Sequence, residues 1–434
     1  MKIAIVGYDV EGRSSFEYFK AGGHELSIRD RNAELVTPAG VPKVVGDEYL
    51  EGLDEFDLVV RTPGLIPSDI LDKNPSVGDR ITTQVNEFMR VSPTKNVIGV
   101  TGTKGKGTTA TLIAKLLEAH GQAVRLGGNI GVPPLSFVGE LKAESWVVLE
   151  LSNFQLIDMK CSPHVAVCLA IVPEHLDWHK DMTDYVGAKS RIFLSQSSDD
   201  IAIYYDKNAL SKSLASKSPG HKIPYGSLPG AVVNGDSIVI DGHAVCKTAE
   251  LQLPGRHNWQ NVCAAVTAAW QVTQDVDAMR GVLTSFGGLE HRIELVREVS
   301  GVRYYNDSYA AGLQATEAAI EAVEGKKIMI LGGYDRMLDL ERFSSYAAGH
   351  QDDFRALLLI GASAGRLAEA LKKAGFSNYV VKPDAKTMQA VTQEAHLLAR
   401  PGDAIVLSPG FASFDMFKNF SERGRLFKEA VNNL

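Results

Sequence analysis

Short apolar runs alternate with amphipathic stretches along most of the chain, which is the pattern of strands joined by helices. The first apolar runs are Ile3–Val6, Leu26–Arg29 and Asp57–Val60. Runs of this length, separated by helical stretches, predict parallel strands connected by crossover helices. We therefore expect a small Rossmann-like domain over residues 1–92.

A proline-containing segment, Ser92-Pro93-Thr94, interrupts this pattern just before a new apolar run at Val97–Val100. Proline blocks the continuation of a helix, so we place a domain boundary at this segment. Further buried strands are expected at Trp146–Glu150 and Val165–Ile171. Together these runs predict a second parallel sheet, of the P-loop type, in a central domain that covers residues 93–292.

The segment from Ile201 to Leu253 has a different pattern, because turn signals separate its valine and isoleucine runs. The signals are Asn234-Gly235-Asp236 and Asp241-Gly242-His243, and both favour hairpins. We expect this whole segment to form a small β side sheet attached to the central domain.

Residues 293–434 return to alternating strands and helices, and they predict a doubly wound α/β domain. The expected elements are a hairpin around Gly301, strands at Lys327–Leu331, Ala356–Ile360 and Ala404–Leu407, and helices such as Ala364–Ala374. The predicted fold is therefore α/β with three domains.

Composition narrows the possible partners of this chain. The 434 residues include 45% hydrophobic and 22% charged positions, as in ordinary globular proteins, and the net charge is −7. An acidic chain offers no basic field for nucleic acid or for an anionic membrane, and no apolar run approaches the ~18 residues of a membrane span. We expect a cytoplasmic monomer that acts on small molecules.

A glycine-rich segment, Thr101–Thr109, connects the strand Val97–Val100 to an amphipathic helix. Glycines let the backbone fold round phosphate oxygens, while amide groups, the helix N-terminus and Lys106 supply positive potential. The segment is not a standard Walker A motif, because Val100 replaces its first glycine and Gly107 follows the lysine. The expected ATP contacts are Gly102, Thr103, Lys104, Gly105, Lys106, Gly107 and the hydroxyl-bearing Thr108 and Thr109.

The first domain carries a weaker nucleotide signal. Its first strand is followed by Gly7-Tyr8-Asp9-Val10-Glu11-Gly12, in which Asp9 replaces the middle glycine of a dinucleotide-binding motif. This replacement argues against an NAD-dependent oxidoreductase. Asp30, at the end of the second strand, can instead bind a nucleotide's sugar or base.

Polar side chains follow two strands of the predicted central sheet. Glu150 ends one strand and is followed by Ser152-Asn153-Phe154-Gln155, and the segment Glu174–His179 follows the next strand. Ligands of doubly wound folds bind at the carboxyl edge of the sheet, where these residues belong. Oxygen-rich ligands with an imidazole suit Mg²⁺ beside ATP phosphates.

These segments together resemble the Mur ligase family over nearly the whole chain. The matching segments are Thr101–Thr109, Gly128–Gly131, Leu149–Leu156, His175–Asp177, Ala188–Phe193, Gly255–Asn258, His291-Arg292, Asn306–Ser308 and Ser408–Phe420. The resemblance implies that ATP phosphorylates the terminal carboxylate of UDP-N-acetylmuramoyl-L-alanine. The amino group of glutamate, D-glutamate being expected, then displaces the phosphate in the synthesis of a peptidoglycan precursor.

The resemblance also implies roles for individual residues. Catalytic roles fall to Lys106, His175, Lys189 and Arg292, and two Mg²⁺ ions are expected at Glu150, His175, Lys189 and Thr108. Lys189 matches a lysine that CO₂ converts into a carbamate. Further ATP contacts are expected at Asn258, Asn261, Arg292 and Asp307, with Arg292 arriving on domain closure. The UDP-linked substrate is assigned to Asp30, Asn129, Ser152 and Gln155, and the amino acid to Arg336, Ser413 and Phe420.

Three departures concern the amino-acid site. The Asn-Asp-Ser run continues as Lys-Ala-Thr in the D-glutamate ligases of the family but as Tyr309-Ala310-Ala311 here, and Arg336 stands where a lysine is expected. A ligase for L-glutamate therefore stays an alternative, and Gly107 also resembles the loop of folylpolyglutamate synthetases. A non-catalytic nucleotide-binding scaffold ranks lower, because the residues expected to carry the chemistry are present.

Overall fold

The computed structural model describes residues 1–176, 178–253, 255–335 and 338–434, with His257 described by its backbone alone. The chain forms two compact units. The first contains Met1–Leu251 and Arg256–Phe286, and the second contains Gln252–Gly255 and Gly287–Leu434. Among the described residues, no helix is both long enough and apolar enough to cross a lipid bilayer.

The first unit begins with a five-stranded parallel sheet. Its strands are β1 (Lys2–Val6), β2 (Glu25–Asp30), β3 (Lys43–Val45), β4 (Leu58–Arg61) and β5 (Ile81–Thr82), in the order β3-β2-β1-β4-β5. The accompanying helices are α1 (Val10–Ala21), α2 (Pro67–Lys73) and α3 (Gln84–Val91). Successive residues of β1 pack into opposite layers, Ile3 with Phe16 and Ala4 with Leu53, as alternation along a strand requires. The predicted Rossmann-like arrangement is confirmed.

A six-stranded parallel sheet follows in the same unit, in the order β11-β10-β9-β6-β8-β7. Its strands are β6 (Val97–Thr101), β7 (Val124–Gly128), β8 (Trp146–Glu150), β9 (Val165–Cys168), β10 (Ile201–Tyr205) and β11 (His221–Tyr225). The helices are α4 (Lys106–Ala119), α5 (Asn153–Leu156), α6 (Met182–Leu194), α7 (Ala209–Ala215), α8 (His257–Trp270) and α9 (Val276–Ser285). The carboxyl ends of β6, β8 and β9 lie side by side at one edge.

The side sheet is smaller than the sequence predicted. It contains only the antiparallel strands β12 (Val232–Asn234), β13 (Ser237–Ile240) and β14 (His243–Lys247). The prediction is wrong for β10 and β11, which pair in parallel within the central sheet. The reason is that α7 crosses over between them, and an apolar run alone does not show whether its neighbour is reached by a hairpin or by a crossover helix.

The second unit contains another six-stranded sheet, in the order β15-β16-β20-β17-β18-β19. The strands are β15 (Glu294–Val299), β16 (Val302–Asn306), β17 (Lys327–Gly332), β18 (Phe354–Ile360), β19 (Tyr379–Lys382) and β20 (Ala404–Leu407). The helices are α10 (Leu313–Ala322), α11 (Glu341–Gly349), α12 (Ala364–Lys373), α13 (Met388–Leu398) and α14 (Phe420–Asn432). Strands β15 and β16 form the hairpin expected around Gly301, and the other strand pairs are parallel.

The fold class is therefore α/β with parallel sheets, as predicted. The sheets do not by themselves set domain limits, so the ranges 1–92, 93–292 and 293–434 stay predictions.

Candidate active site

The glycine-rich turn between β6 and α4 adopts a conformation that only glycine accepts at two positions. Gly102 and Gly105 have φ angles of 147° and 86°. A Cβ atom at Gly102 would lie 2.6 Å from Cβ of Leu169, and one at Gly105 would collide with the side-chain oxygen of Asn261. The turn therefore keeps its backbone close to its neighbours, and α4 begins directly after it at Lys106.

Two lysine amines meet at this turn. Nζ of Lys189, on α6, donates to the carbonyl oxygen of Gly102 at 2.9 Å, and Nζ of Lys106 donates to the same oxygen at 3.2 Å. Lys106 also donates to the carbonyl oxygen of Thr103 at 2.8 Å. The structure thus brings together two of the predicted catalytic residues.

Burial, and to a smaller extent the nearby positive charge of Lys106, lower the pKa of Lys189 to about 7. The side chain of Lys189 is almost completely buried, and its amine also lies over the ring of Tyr185 at 4.8 Å from the centroid. A lysine with this pKa has a neutral, nucleophilic amine in a large fraction of molecules near neutral pH.

Two threonine hydroxyl groups at the glycine-rich turn differ in their hydrogen bonding. Oγ1 of Thr103 shares a hydrogen bond of 2.9 Å with the phenol of Tyr185, which ties the turn to α6. Oγ1 of Thr109, in the first turn of α4, is buried without a hydrogen-bond partner among the described residues. A buried polar atom of this kind is costly unless a ligand satisfies it. Thr108, the predicted metal ligand, is half-buried one position earlier.

Glu150 is buried at the carboxyl end of β8, next to the turn in the sheet. Its Oε1 accepts a hydrogen bond of 3.1 Å from Nδ2 of Asn129, and the backbone amide of Asn129 donates to the carbonyl oxygen of Glu150. The predicted metal ligand and the predicted substrate residue are thus direct neighbours.

Ser152 and Gln155 form a capping box at the start of α5. Oγ of Ser152 accepts from the backbone amide of Gln155 at 3.2 Å, and Oε1 of Gln155 accepts from the amide of Ser152 at 3.0 Å. Nε2 of Gln155 donates to Oε1 of Glu11, on α1, at 2.7 Å. Both residues therefore have a structural role at the predicted substrate site.

His175 follows β9 and has a φ angle of 56°, which is uncommon for a residue other than glycine. Its ring lies 4.9 Å from the ring of Phe154, and its Nε2 lies 3.7 Å from a carboxylate oxygen of Glu174. Asp177, which completes the matching His-Leu-Asp segment, lies outside the described residues.

Asn258 and Asn261 lie one turn apart on α8, as their spacing predicted, and Nδ2 of Asn261 donates to Oδ1 of Asn258 at 2.8 Å. The N-cap position is occupied by Arg256, so neither asparagine is the N-cap residue of this helix. Because Asn261 also borders Gly105, the pair lies against the glycine-rich turn.

Asp30 stabilises the turns that follow β1 and β2 in the first sheet. Its carboxylate accepts hydrogen bonds from the backbone amides of Tyr8 at 2.7 Å and Asn32 at 2.8 Å. Its position at the end of β2 matches the prediction.

Arg292 and Asp307 belong to the second unit. The guanidinium carbon of Arg292 lies 4.1 Å from the ring centroid of Tyr309. Asp307 accepts hydrogen bonds from Ser408 at 2.7 Å and from the amide of Ile293 at 3.2 Å. Burial raises the pKa of Asp307 to about 7, while these bonds and nearby arginines oppose the shift.

The predicted amino-acid residues also fall in the second unit. Ser413 is buried, and its carbonyl oxygen accepts from the amides of Met416 and Phe417. Phe420 begins α14, and its ring lies 5.1 Å from that of Tyr309. Arg336 lies outside the described residues.

The sequence analysis missed a buried network in the first unit. Arg61 is buried and makes two hydrogen bonds of 2.7 Å to the carboxylate of Asp158, which joins β4 to the segment after α5. Glu11 lies nearby, and burial raises its pKa to about 7. No motif signals Arg61 or Asp158, although an arginine at the end of an apolar strand is itself unusual.

A second cluster of possible metal ligands contains Glu290, His291 and Glu294. Nζ of Lys428 lies 3.1 Å from Glu290 and 2.5 Å from Glu294, so one ammonium group pairs with both carboxylates. This cluster is an ion-pair network and does not favour a metal ion.

Comparison with known proteins gives matches along the chain. The Mur ligase middle domain matches residues 100–269, and the glutamate ligase domain of Mur ligases matches residues 291–411. The chain is 37% identical to UDP-N-acetylmuramoylalanine–D-glutamate ligase of Clostridium kluyveri, covering 100% of this chain and 97% of that protein. The enzyme of the same name from Acetivibrio thermocellus is 36% identical, with 100% and 96% covered. The solved structure of UDP-N-acetylmuramate-alanine ligase from Thermotoga maritima shares the fold, with a TM-score of 0.60, 16% identity, and 100% and 99% covered.

Proposed function

The chain belongs to the Mur ligase family of ATP-dependent amide ligases, and we propose that it joins UDP-N-acetylmuramoyl-L-alanine to D-glutamate. The relatives named for this reaction match the chain over its full length. The structural observation that carries the proposal is the convergence of Lys106 and Lys189 on the carbonyl oxygen of Gly102. The positive charge of Lys106 at a glycine-rich helix N-terminus favours a highly charged anion such as a triphosphate, and Lys189 lies directly beside it.

The proposed chemistry follows from the low reactivity of a carboxylate toward amines. Transfer of the γ-phosphoryl group of ATP to the alanine carboxylate gives an acyl phosphate and ADP. The neutral amino group of glutamate attacks the acyl carbon, phosphate leaves with the bonding electron pair, and the amine loses a proton. The products are the amide, ADP and phosphate.

The residues of the glycine-rich turn hold the triphosphate in this proposal. The positive potential at the phosphates comes from the backbone amides of residues 102–109 and from the N-terminus of α4. Lys106 adds a full positive charge. Asn258 and Asn261 border the turn and are proposed to face the adenine side. Arg292 is proposed to neutralise the transferred phosphoryl group, and Asp307 to contact the ribose.

The donor set around the turn fits Mg²⁺. The buried carboxylate of Glu150 and the imidazole of His175 are suitable ligands. A hydroxyl from Thr108, or from Thr109, which has no hydrogen-bond partner among the described residues, would complete an oxygen-rich site. Mg²⁺ supplies positive charge that offsets charge on the transferred phosphoryl group. Two ions are proposed, the second held with Lys189 as a carbamate.

Carbamylation of Lys189 is supported by its surroundings. The reaction with CO₂ requires the neutral amine, and burial together with Lys106 lowers the pKa of Lys189 to about 7. The product is an anion that removes the repulsion between two neighbouring amines. A carboxylate-like group at this position is also a suitable ligand for a divalent cation.

The substrate residues are proposed from their positions. Asn129, Ser152 and Gln155 surround Glu150 and the start of α5, and they would line the muramoyl-alanine path. Asp30 would contact the nucleotide end. Ser413, Phe420 and Arg336 are proposed to hold glutamate. A cytoplasmic location and a monomeric state stay predictions.

L-Glutamate is the alternative acceptor, because Tyr309, Ala311 and Arg336 depart from the pattern of the D-glutamate ligases. A ligase that adds glutamate to the carboxylate of a folate is a weaker alternative, since the full-length relatives at 36–37% identity are named for D-glutamate.

Release of phosphate tests the proposal. The purified protein is incubated with ATP, Mg²⁺ and UDP-N-acetylmuramoyl-L-alanine, with D-glutamate, L-glutamate or lysine offered in turn. In a separate incubation, folate replaces the UDP-linked substrate and L-glutamate is offered. Release that requires D-glutamate, with an amide product of the expected mass, supports the proposal. Release with L-glutamate alone would support the alternative.

A Glu150→Gln variant serves as the catalytic control, because it keeps the shape of the side chain but removes its charge. It is expected to lower turnover strongly. Release by the wild-type protein with lysine as the only effective amine, or only with folate and L-glutamate, would refute the assignment.

A further inference from the structure

Tyr309 lies between two residues that the proposed function assigns to different substrates. Its backbone amide donates a hydrogen bond of 3.0 Å to the carbonyl oxygen of His291. This bond holds the backbone of Tyr309 beside that of Arg292, the next residue after His291. The guanidinium carbon of Arg292 lies over the ring, 4.1 Å from its centroid, and the edge-on ring of Phe420 lies 5.1 Å away. Tyr309 is 43% exposed and Phe420 is 40% exposed, so this group lies at the surface of the second unit.

The contact with the Tyr309 ring affects which ligands the Arg292 guanidinium can bind. A guanidinium group that rests on a ring uses its face, and its N–H donors lie in its own plane and point away from the contact. No hydrogen bond among the described residues uses the guanidinium of Arg292. The donors of Arg292 are therefore available to an anion.

A second arginine of the same unit shows the contrast. The buried guanidinium of Arg423 donates to Oγ and the carbonyl oxygen of Ser308 at 3.0 and 2.9 Å and to the carbonyl oxygen of Phe411 at 3.1 Å. Its donors are used by the fold, so Arg423 supports the loop that carries Tyr309. Arg292 is held by an aromatic face instead.

We propose that Tyr309 is a positioning residue that holds the Arg292 guanidinium with its N–H donors available to the transferred phosphoryl group. The inference rests on the proposed function, which places Arg292 at that group. Tyr309 stands where the D-glutamate ligases of the family are expected to have a lysine. The Tyr309 ring carries no charge, and in this proposal it orients the charged guanidinium of Arg292.

Nucleotide binding tests the inference without amide formation. Affinities for Mg²⁺-ADP and for the Mg²⁺ complex of a non-hydrolysable ATP analogue are measured by calorimetry in wild type, Tyr309→Leu, Tyr309→Phe, Arg292→Gln and the Tyr309→Leu/Arg292→Gln double variant. Tyr309→Leu is expected to weaken binding of the ATP analogue roughly 3- to 30-fold, the range of a cation–π contact, and to leave ADP binding unchanged. Tyr309→Phe keeps the ring face and is expected to retain most of the affinity.

The double variant shows whether the two residues act together. If Tyr309 acts through Arg292, Tyr309→Leu has little further effect once Arg292 is replaced. Fully additive losses, or an unchanged preference for the ATP analogue in Tyr309→Leu, would refute the inference. Thermal melting of each variant identifies any loss that comes from unfolding.

A turnover measurement distinguishes a failure of this inference from a failure of the proposed function. In the phosphate-release assay, Tyr309→Leu is expected to lower kcat while the KM for the UDP-linked substrate stays unchanged. A wild-type protein that forms no amide would refute the proposed function, yet the nucleotide-binding cycle would still decide whether Tyr309 orients Arg292.

Discussion

The side-chain amide of Asn261 occupies the space beside Gly105 that a methyl group would require. Gly105 belongs to the turn after β6, whereas Asn261 lies on α8, so their contact exists only in the folded chain. Asn261 also donates a hydrogen bond to Asn258, so the two asparagines would together line one side of the proposed nucleotide site.

Replacement of Gly105 by alanine is expected to weaken ATP binding by more than tenfold, because the added Cβ displaces Asn261 from the turn. Gly121→Ala is the matched control: Gly121 has a similar φ of 84° but no atom within 4 Å of an added Cβ. Both variants should lose about 1 kcal/mol of stability from backbone strain. Calorimetry with an ATP analogue and urea unfolding separate the effects, and equal ATP affinities in the two variants would contradict the prediction.

Removal of the Lys189 amine is expected to abolish turnover almost completely. In Lys189→Ala, small carboxylic acids such as acetate should restore part of the phosphate release, because they replace the proposed carbamate in the vacated space. Lys217→Ala, which removes an exposed lysine, is the control and should behave as wild type. Wild-type turnover in Lys189→Ala would show that the carbamate proposal is wrong.

Loss of the Arg61–Asp158 pair is expected to destabilise the first unit. Arg61→Ala removes the buried partner of this ion pair and leaves the carboxylate of Asp158, which is 18% exposed, without its counter-charge, which costs roughly 1 to 3 kcal/mol. Lys73→Ala, which breaks the exposed pair with Glu51, should change stability little. Urea unfolding monitored by fluorescence measures both, and similar midpoints for the two variants would argue against the assigned role of Arg61.

Asp307 should make stability depend on pH. Its pKa in the folded protein is about 7, above the ordinary value of 3.8, so the folded state binds a proton that the unfolded state releases. The associated stability is complete below the unfolded pKa and is lost as the pH rises through about 7. Between pH 5 and pH 8 the wild type should lose on the order of 2 kcal/mol more than Asp307→Asn. Parallel stability profiles for the two proteins would contradict the raised pKa.

The local elements of the fold were largely predictable. The strands at Trp146–Glu150 and Ala404–Leu407 have the predicted bounds, and the hairpin around Gly301 was foreseen. The error at β10 and β11 arose because apolar runs describe burial but not the path between strands. The positions of Glu150 and Asp30 at strand ends also followed from local pattern, since residues at the carboxyl end of a strand share one edge of the sheet.

The sequence by itself determined where strand, glycine-rich turn and helix follow one another, because periodicity and glycine's backbone freedom are local properties. It also supplied the chemical groups of the candidate site. Only the tertiary structure decided that Lys189 reaches Gly102, 87 positions away, and that Arg61 is buried against Asp158. Desolvation and Coulomb interactions depend on neighbours in space, so the lowered pKa of Lys189 and the raised pKa of Asp307 exist only once the chain has folded.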